Sequence, residues 1–342
     1  MAYKSVIEDF RKAIGLQEPS VVPVVACSEE FDVRVCGNGV TYNEYNRNPK
    51  IMAETQIAAV KRFDYDWAWL QVDDCIVFEV LGVEVRGEGN ILPATVGYLP
   101  ATRETLNSLP TPDPLKDGRM PVLVEAIKRV KDYFGDEVLV CGRTEAPFSS
   151  AALLYGIEET MLLPLLDPEL LKDTLEYFVE VQAAFGIAQK EAGADAVWLG
   201  DCNASGHLMS ESYFADYAKP CAERLVKEYD KVGLWSIYHA SEEKVGHLKL
   251  QADMGVSVLS VGPGLDMAVA KEAVGGKVCL IGNLDPVNVL MNGTTEQVAS
   301  EAERIMRIGR QNGGYIFNTG EMVPRDTPIE NMEAMLAAAR NP

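Results

Sequence analysis

The feature that most constrains this chain is a regular alternation. Short, almost wholly apolar runs are separated by longer segments with amphipathic helical patterning. The runs cover residues 21–26, 67–73, 138–145, 196–201, 234–240, 256–261, 278–283 and 315–320. Near-continuous apolarity, without a polar residue at every second position, marks strands covered on both faces. Between the runs lie helix start signals. Asn48, Asp167 and Thr327 each precede a proline, placing a capping side chain before the first helical position. Thr294 with Gln297, and Thr327 with Glu330, have capping-box spacing. Gly193 and the pair Gly313 and Gly314 stand where helices would close. Eight strand-and-helix units predict an α/β protein, a single (βα)8 barrel of the TIM type over residues 1–342. An open doubly wound sheet is the alternative, and the lack of a GxGxxG turn weakens it. The amphipathic N-terminal segment predicts a helix before the barrel. Two stretches depart from the repeat. Residues 78–109, after the second run, read as a hairpin-like excursion, and residues 148–166, after the third, as extra short helices. Insertions on that side of a barrel form the rim of the active-site cleft.

Charge narrows the partners. Lys and Arg total 31 against 51 Asp and Glu, a net charge of −20. Such a chain repels phosphate backbones and anionic membranes, so neither nucleic acid nor a membrane surface is expected as partner. No apolar stretch approaches the roughly 18 residues that suggest a span, and the N-terminus has no signal-peptide core. The seven cysteines (27, 36, 75, 141, 202, 221 and 279) include no CxxC pair. Reduced thiols in a cytoplasm are the expectation.

In a barrel the C-terminal strand ends form the active-site face. Here those ends carry Asp73 and Asp74; Arg143, Thr144 and Glu145; Asp201, Cys202 and Asn203; His239 and Ser241; Asn283 and Asp285; Asn318 and Glu321. Asp285 precedes a proline and also reads as a helix cap. The set is rich in carboxylates and carboxamides, with one imidazole and one guanidinium. It suits a neutral heterocycle with many donors and acceptors rather than a polyanion. His239 ends an apolar strand, where an imidazole points to a site. No GxSxG elbow supports a serine nucleophile.

Three C-terminal segments carry a resemblance. They are G-N-x-D-P at 282–286, G-T-x-E-x-V at 293–298 and T-P-x-E-N at 327–331. With them the chain resembles the uroporphyrinogen decarboxylase superfamily, more weakly over its whole length, including the Asp201 region and the helix start at Ser210. The resemblance implies a (βα)8 barrel and two branches of activity. Tetrapyrrole decarboxylases carry an arginine-rich N-terminal segment close to M-R-Q-A-G-R. The corresponding stretch here, VVPVVACSEEFDVRVCGNG, holds only Arg34. The corrinoid-dependent methyltransferase branch binds zinc through H-x-C and G-C motifs, which activates a thiol acceptor. Here the motifs read His239, Ala240, Ser241 and Gly320, Glu321.

A free thiol is mostly protonated at neutral pH, and zinc corrects this by coordinating the thiolate. Nitrogen 5 of tetrahydrofolate already has a free lone pair. The resemblance and the lost cysteines together imply a methylcorrinoid:tetrahydrofolate methyltransferase, of the type that serves glycine betaine demethylation. It would work without zinc and take its methyl group from methylcobalamin on a partner corrinoid protein. On that reading Asp201, Asn203, Asn283, Asn318 and Asp73 bind the pterin. Glu145 and Glu321 take its amino group or the nitrogen-5 proton, and His239 orients the acceptor or acts as base. Three alternatives stand beside it. One is zinc-dependent transfer to a thiol of the coenzyme M type, with His239, Glu321 and Cys202 or Asp201 as ligands. The others are decarboxylation and a non-catalytic corrinoid-binding barrel.

Overall fold

Seven parallel strands follow one another around the molecule in chain order. The computed structural model describes residues 6–71 and 73–342. Its strands are β1 (Trp67–Trp69), β2 (Glu84–Arg86), β3 (Ala94–Gly97), β4 (Leu139–Glu145), β5 (Ala196–Gly200), β6 (Trp235–Glu242), β7 (Val258–Val261), β8 (Cys279–Leu284) and β9 (Tyr315–Thr319). The large sheet runs β1, β4, β5, β6, β7, β8, β9, every pair parallel. β2 and β3 form a separate antiparallel hairpin.

The expected first strand, residues 21–26, is reduced to a single parallel bridge between Val24 and Phe317. It still joins both edges of the sheet. On the β9 side Phe317 donates to the Pro23 carbonyl (2.9 Å), and Val25 donates to the Phe317 carbonyl (3.0 Å). On the β1 side Asp66 donates its backbone N–H to the Val24 carbonyl (3.1 Å). The ladder fails for two reasons. Pro23 has no N–H, and the Val24 N–H is taken by the Asp66 carboxylate at 2.7 Å. The eighth stave is therefore present as a hydrogen-bonded segment that closes the ring.

Three buried tryptophans form one cluster within the core. Trp67, Trp69 and Trp198 pack together with ring centroids 5.5–6.0 Å apart. Outside, the helices begin largely where the caps predict. Asn48 accepts from the N–H groups of Lys50 and Ile51 to start Pro49–Phe63, and Asp167 accepts from Leu170 to start Pro168–Glu191. Thr294 and Gln297 complete a reciprocal capping box on Thr295–Gly309. The box expected at Thr327 does not form. Pro328 is extended (ψ 136°), so the last helix, Ile329–Arg340, starts one residue later, and the Thr327 hydroxyl is buried without a partner. At the N-terminus the expected helix covers Val6–Ile14; the expectation for residues 1–5 lies outside the described residues.

Both insertions take the predicted form. The first contains the β2/β3 hairpin and a short helix, Arg103–Ser108. The second is a pair of helices, Pro147–Tyr155 and Ile157–Leu166. Leu99 donates to the Leu154 carbonyl (2.9 Å), which ties the two insertions together on the C-terminal side of the barrel. Among the described residues no helix is long and apolar enough to cross a membrane.

Candidate active site

The C-terminal end of β6 carries His239 into a cluster at the mouth. Its ring lies 4.7 Å from that of Trp198, so one face is packed and its rotation is fixed. Nδ1 meets the Ser260 hydroxyl at 2.9 Å, and Nε2 meets Glu321 Oε1 at 3.1 Å. Cys202, in the turn after β5, completes the group. One ligand atom each from Cys202, His239 and Glu321 lies within 4.8 Å of the others. Burial pulls the imidazole pKa down. The opposing charges and hydrogen bonds of Cys202 and Glu321 outweigh it and lift His239 to about 10. Burial raises Glu321, but His239, the Ser241 hydroxyl and the Met322 N–H hold its carboxylate at about 2. The two form an ion pair across the neutral range. In that state the His239 Nε2–H donates a hydrogen bond to Glu321, and the protonated ring cannot serve as a base.

A second group stands on the same rung. Register aligns Glu145 with Gly200 and Gly200 with His239. Arg143 Nε donates to Glu145 Oε1 at 2.7 Å, and its guanidinium also pairs with Asp74. Gly200 makes room for this. A Cβ there would stand 2.5 Å from Glu145 Oε2 and 3.1 Å from Arg143 Nη2. Burial pushes Glu145 up to about 8, with Asp74 adding to the rise and Arg143 opposing it. Its proton exchanges near neutral pH.

The residues expected to cradle a pterin are mostly engaged elsewhere. Asp201 is fully buried; it accepts from Tyr238 Oη (2.7 Å) and the Ser149 N–H (3.1 Å). Burial raises its carboxyl to about 6 against those hydrogen bonds. Asn283 donates to the carbonyls of Gly262 and Leu265 (2.8 and 2.6 Å), holding the loop after β7. Asn318 donates to Cys27 Sγ at 3.1 Å. Asn203 is half-buried in the turn beside Cys202. Asp73 receives Arg119 Nη1 (2.6 Å) and Nη2 (2.8 Å), the Cys75 N–H and the Asn46 amide. Arg119 also grips Glu79 through Nε (2.8 Å) and Nη2 (2.9 Å). The lone arginine of the N-terminal segment, Arg34, spends its donors on the carbonyls of Arg325 and Thr327.

The family model for uroporphyrinogen decarboxylase (URO-D) matches residues 7–342. The chain belongs to the uroporphyrinogen decarboxylase family. Family relatives include a methylcobamide:CoM methyltransferase, MtaA, of Methanosarcina barkeri. It is 27% identical over 320 residues, 93% of this chain and 92% of that protein. A uroporphyrinogen decarboxylase of Wolbachia pipientis is 30% identical over 297 residues, 84% of this chain and 83% of that one. A solved structure, a methyltransferase from Methanosarcina mazei, superposes with a TM-score of 0.87 at 26% identity, over 98% of both chains. The family's fold is the barrel expected from the alternation of strands and helices.

Within this family member, sequence reasoning singled out His239, Glu321 and Glu145, and the structure brings all three to the mouth. It passed over Gly200, whose signal is only a glycine at a strand end.

Proposed function

We propose that this chain moves a methyl group between the cobalt of a methylcorrinoid, carried by a partner protein, and a small nucleophile held at the mouth beside His239 and Glu321. The observation that carries this reading is the state of the charged groups. Arg34, Arg119 and Arg143 are each committed to carbonyls or carboxylates of the protein itself. A substrate with many carboxylates would need such groups free. An acceptor whose reacting head is uncharged does not.

Tetrahydrofolate is the acceptor we name. Support comes from Ser241 and Glu321, which stand where a thiol-activating zinc site would have cysteines and hydrogen-bond each other instead. Transfer passes the methyl group from cobalt to nitrogen 5. The electron pair of the cobalt–carbon bond stays on cobalt, and the nitrogen-5 proton leaves to a base. Glu145, with its raised pKa, is the group suited to take it. His239 holds Glu321 in place, and positioning supplies most of the rate gain. With Glu145 as base, the rate should rise with pH through about 8. Glu145→Gln should flatten that rise in a pH–rate profile, and an unaltered profile would remove Glu145 from the role. The same raised pKa acts on folding. Its stabilising contribution is complete below the ordinary glutamate range and is lost as pH climbs to about 8.

A specific observation favours a second reading. One thiolate, one imidazole and one carboxylate within 4.8 Å fit a zinc ion with one position left open. Zinc there would hold an acceptor's sulfur as thiolate. Cys202, His239 and Glu321 would be its ligands, and transfer to a thiol would follow. Competition decides between the readings. With methylcobalamin as donor, tetrahydrofolate should be methylated in preference to coenzyme M, and a strong chelator should leave the rate within twofold. Faster methylation of the thiol, lost on chelation and restored by zinc, would establish the second reading.

A further inference from the structure

One buried carboxylate lies outside the cluster at the mouth yet binds both chain segments that build it. Glu242, the last residue of β6, is fully buried. Each of its oxygens accepts two hydrogen bonds. Oε1 takes the backbone N–H groups of Glu243 (3.0 Å) and Lys244 (2.7 Å). Oε2 takes the Gly206 N–H (2.9 Å) and the Gln251 side-chain amide (3.1 Å). Burying an acid without such donors costs heavily, so four of them together fix its position. Gly206 lies in the turn after β5 that opens with Cys202, and Gln251 lies on the helix Val245–Ala252. The turn approaches closely: a Cβ at Gly206 would stand 3.0 Å from Glu242 Oε1 and 2.7 Å from Lys244 Cγ. On its other side Glu242 ends a bulge. Tyr238 pairs with Leu259 and Glu242 with Val261, so His239, Ala240 and Ser241 together face Ser260. Ser241 takes a φ of 51°, a left-handed conformation uncommon for a residue with a side chain. The bulge brings His239 Nδ1 to the Ser260 hydroxyl (2.9 Å) and the Ser241 hydroxyl to Glu321. Bulges re-aim side chains beside active sites, and strained backbone persists only where its surroundings hold it.

We propose that Glu242 is the positioning residue of the cluster: it locks the Cys202 turn to the end of β6, and so sets where Cys202, His239 and Ser241 stand relative to Glu321. One backbone hydrogen bond, from Asp201 to the His239 carbonyl (2.7 Å), joins the two segments close to the strands. Glu242 supplies a second tie farther out, and two ties fix the angle between the segments. A neutral side chain of the same shape does not replace it. A glutamine oxygen accepts two hydrogen bonds, and its NH2 would face N–H donors. Gln251 can turn its amide to meet that NH2, because its own Oε1 is otherwise without a partner. The favoured arrangement of Glu242→Gln therefore keeps Glu243 and Lys244 and leaves only the Gly206 N–H unmatched. The tie that breaks is the one to the Cys202 turn. The effect on rate rests on the methyl-transfer reading; the placement of the turn does not.

Hydrogen exchange and kinetics on the full chain test it. In Glu242→Gln the amides of residues 203–208 should exchange about tenfold faster or more, with those of β4 and β8 unchanged. The kcat for methyl transfer from free methylcobalamin to tetrahydrofolate should fall about tenfold or more, with KM within about threefold. Adding Glu321→Gln should then cost little more than Glu321→Gln alone, since both act on one cluster. A merely structural role would add its loss to that of Glu321→Gln. Gly206→Ala, which pushes the same turn away and leaves the carboxylate in place, should repeat the pattern, and it decides the matter if Glu242→Gln does not fold. Unchanged exchange would overturn the proposal. Faster exchange with kcat within twofold, or with additive losses, would make Glu242 a loop anchor only and overturn it too, while the methyl-transfer reading stands. If the unmodified protein methylates neither tetrahydrofolate nor coenzyme M, that reading falls, and exchange alone decides whether Glu242 holds the Cys202 turn.

Discussion

Replacing Arg119 with methionine should destabilise the protein by about 3–5 kcal/mol, because it leaves a buried carboxylate without its counter-charge. Arg119 and Asp73 have side chains only 6% and 2% exposed, and Glu79 lies at 22%. One guanidinium bridges the two carboxylates with four hydrogen bonds of 2.6–2.9 Å. It thereby fixes the loop after β1 to the start of the helix Met120–Phe134. Urea denaturation measures the effect as a lower midpoint at unchanged slope. Asp73→Asn added to Arg119→Met should recover part of the loss, since the orphaned charge is gone. A midpoint that does not move in the single variant would show that Asp73 and Glu79 find other partners.

The second large effect is on rate. His239→Gln should lower kcat/KM for methyl transfer from free methylcobalamin by about 10²-fold or more, because Glu321 loses the partner that orients it. Glu321→Gln should show a comparable loss. The two groups act as one ion pair at 3.1 Å, so the double variant should be little worse than either single one. Fully additive losses would show that each residue acts alone. A rate within twofold in His239→Gln would place the chemistry elsewhere in the mouth.

How much of this was legible differs from element to element. The apolar runs from 138 to 320 became six barrel strands, because burial on both faces leaves a mark in the residue types themselves. The run at 21–26 did not become a ladder strand, though its apolarity is the same. Pro23 lacks a donor, and a side chain 42 residues away takes the next one. Caps whose partners lie within three residues formed at Asn48, Asp167 and Thr294. The cap at Thr327 failed as the backbone at Pro328 stayed extended. Local signals are reliable where the interaction is local, and they fail where a distant group competes.

The candidate site divides in the same way. The position of His239, Glu145 and Glu321 was readable, because each stands at or just after the end of an apolar run. Sequence alone also determined the strand-and-helix alternation, the acidic charge and the resemblance in the last third of the chain. Each of these depends on residue identity and spacing along one chain. Tertiary structure alone decided which polar groups keep free hydrogen-bonding capacity. Asp73 and Glu29 are both acids near the mouth, and nothing in their neighbours distinguishes them. Arg119, 46 residues from Asp73, consumes the first, while Tyr42 satisfies only one oxygen of the second. Hydrogen-bond satisfaction is set by what the fold brings within reach, and that is a property of space rather than of sequence order.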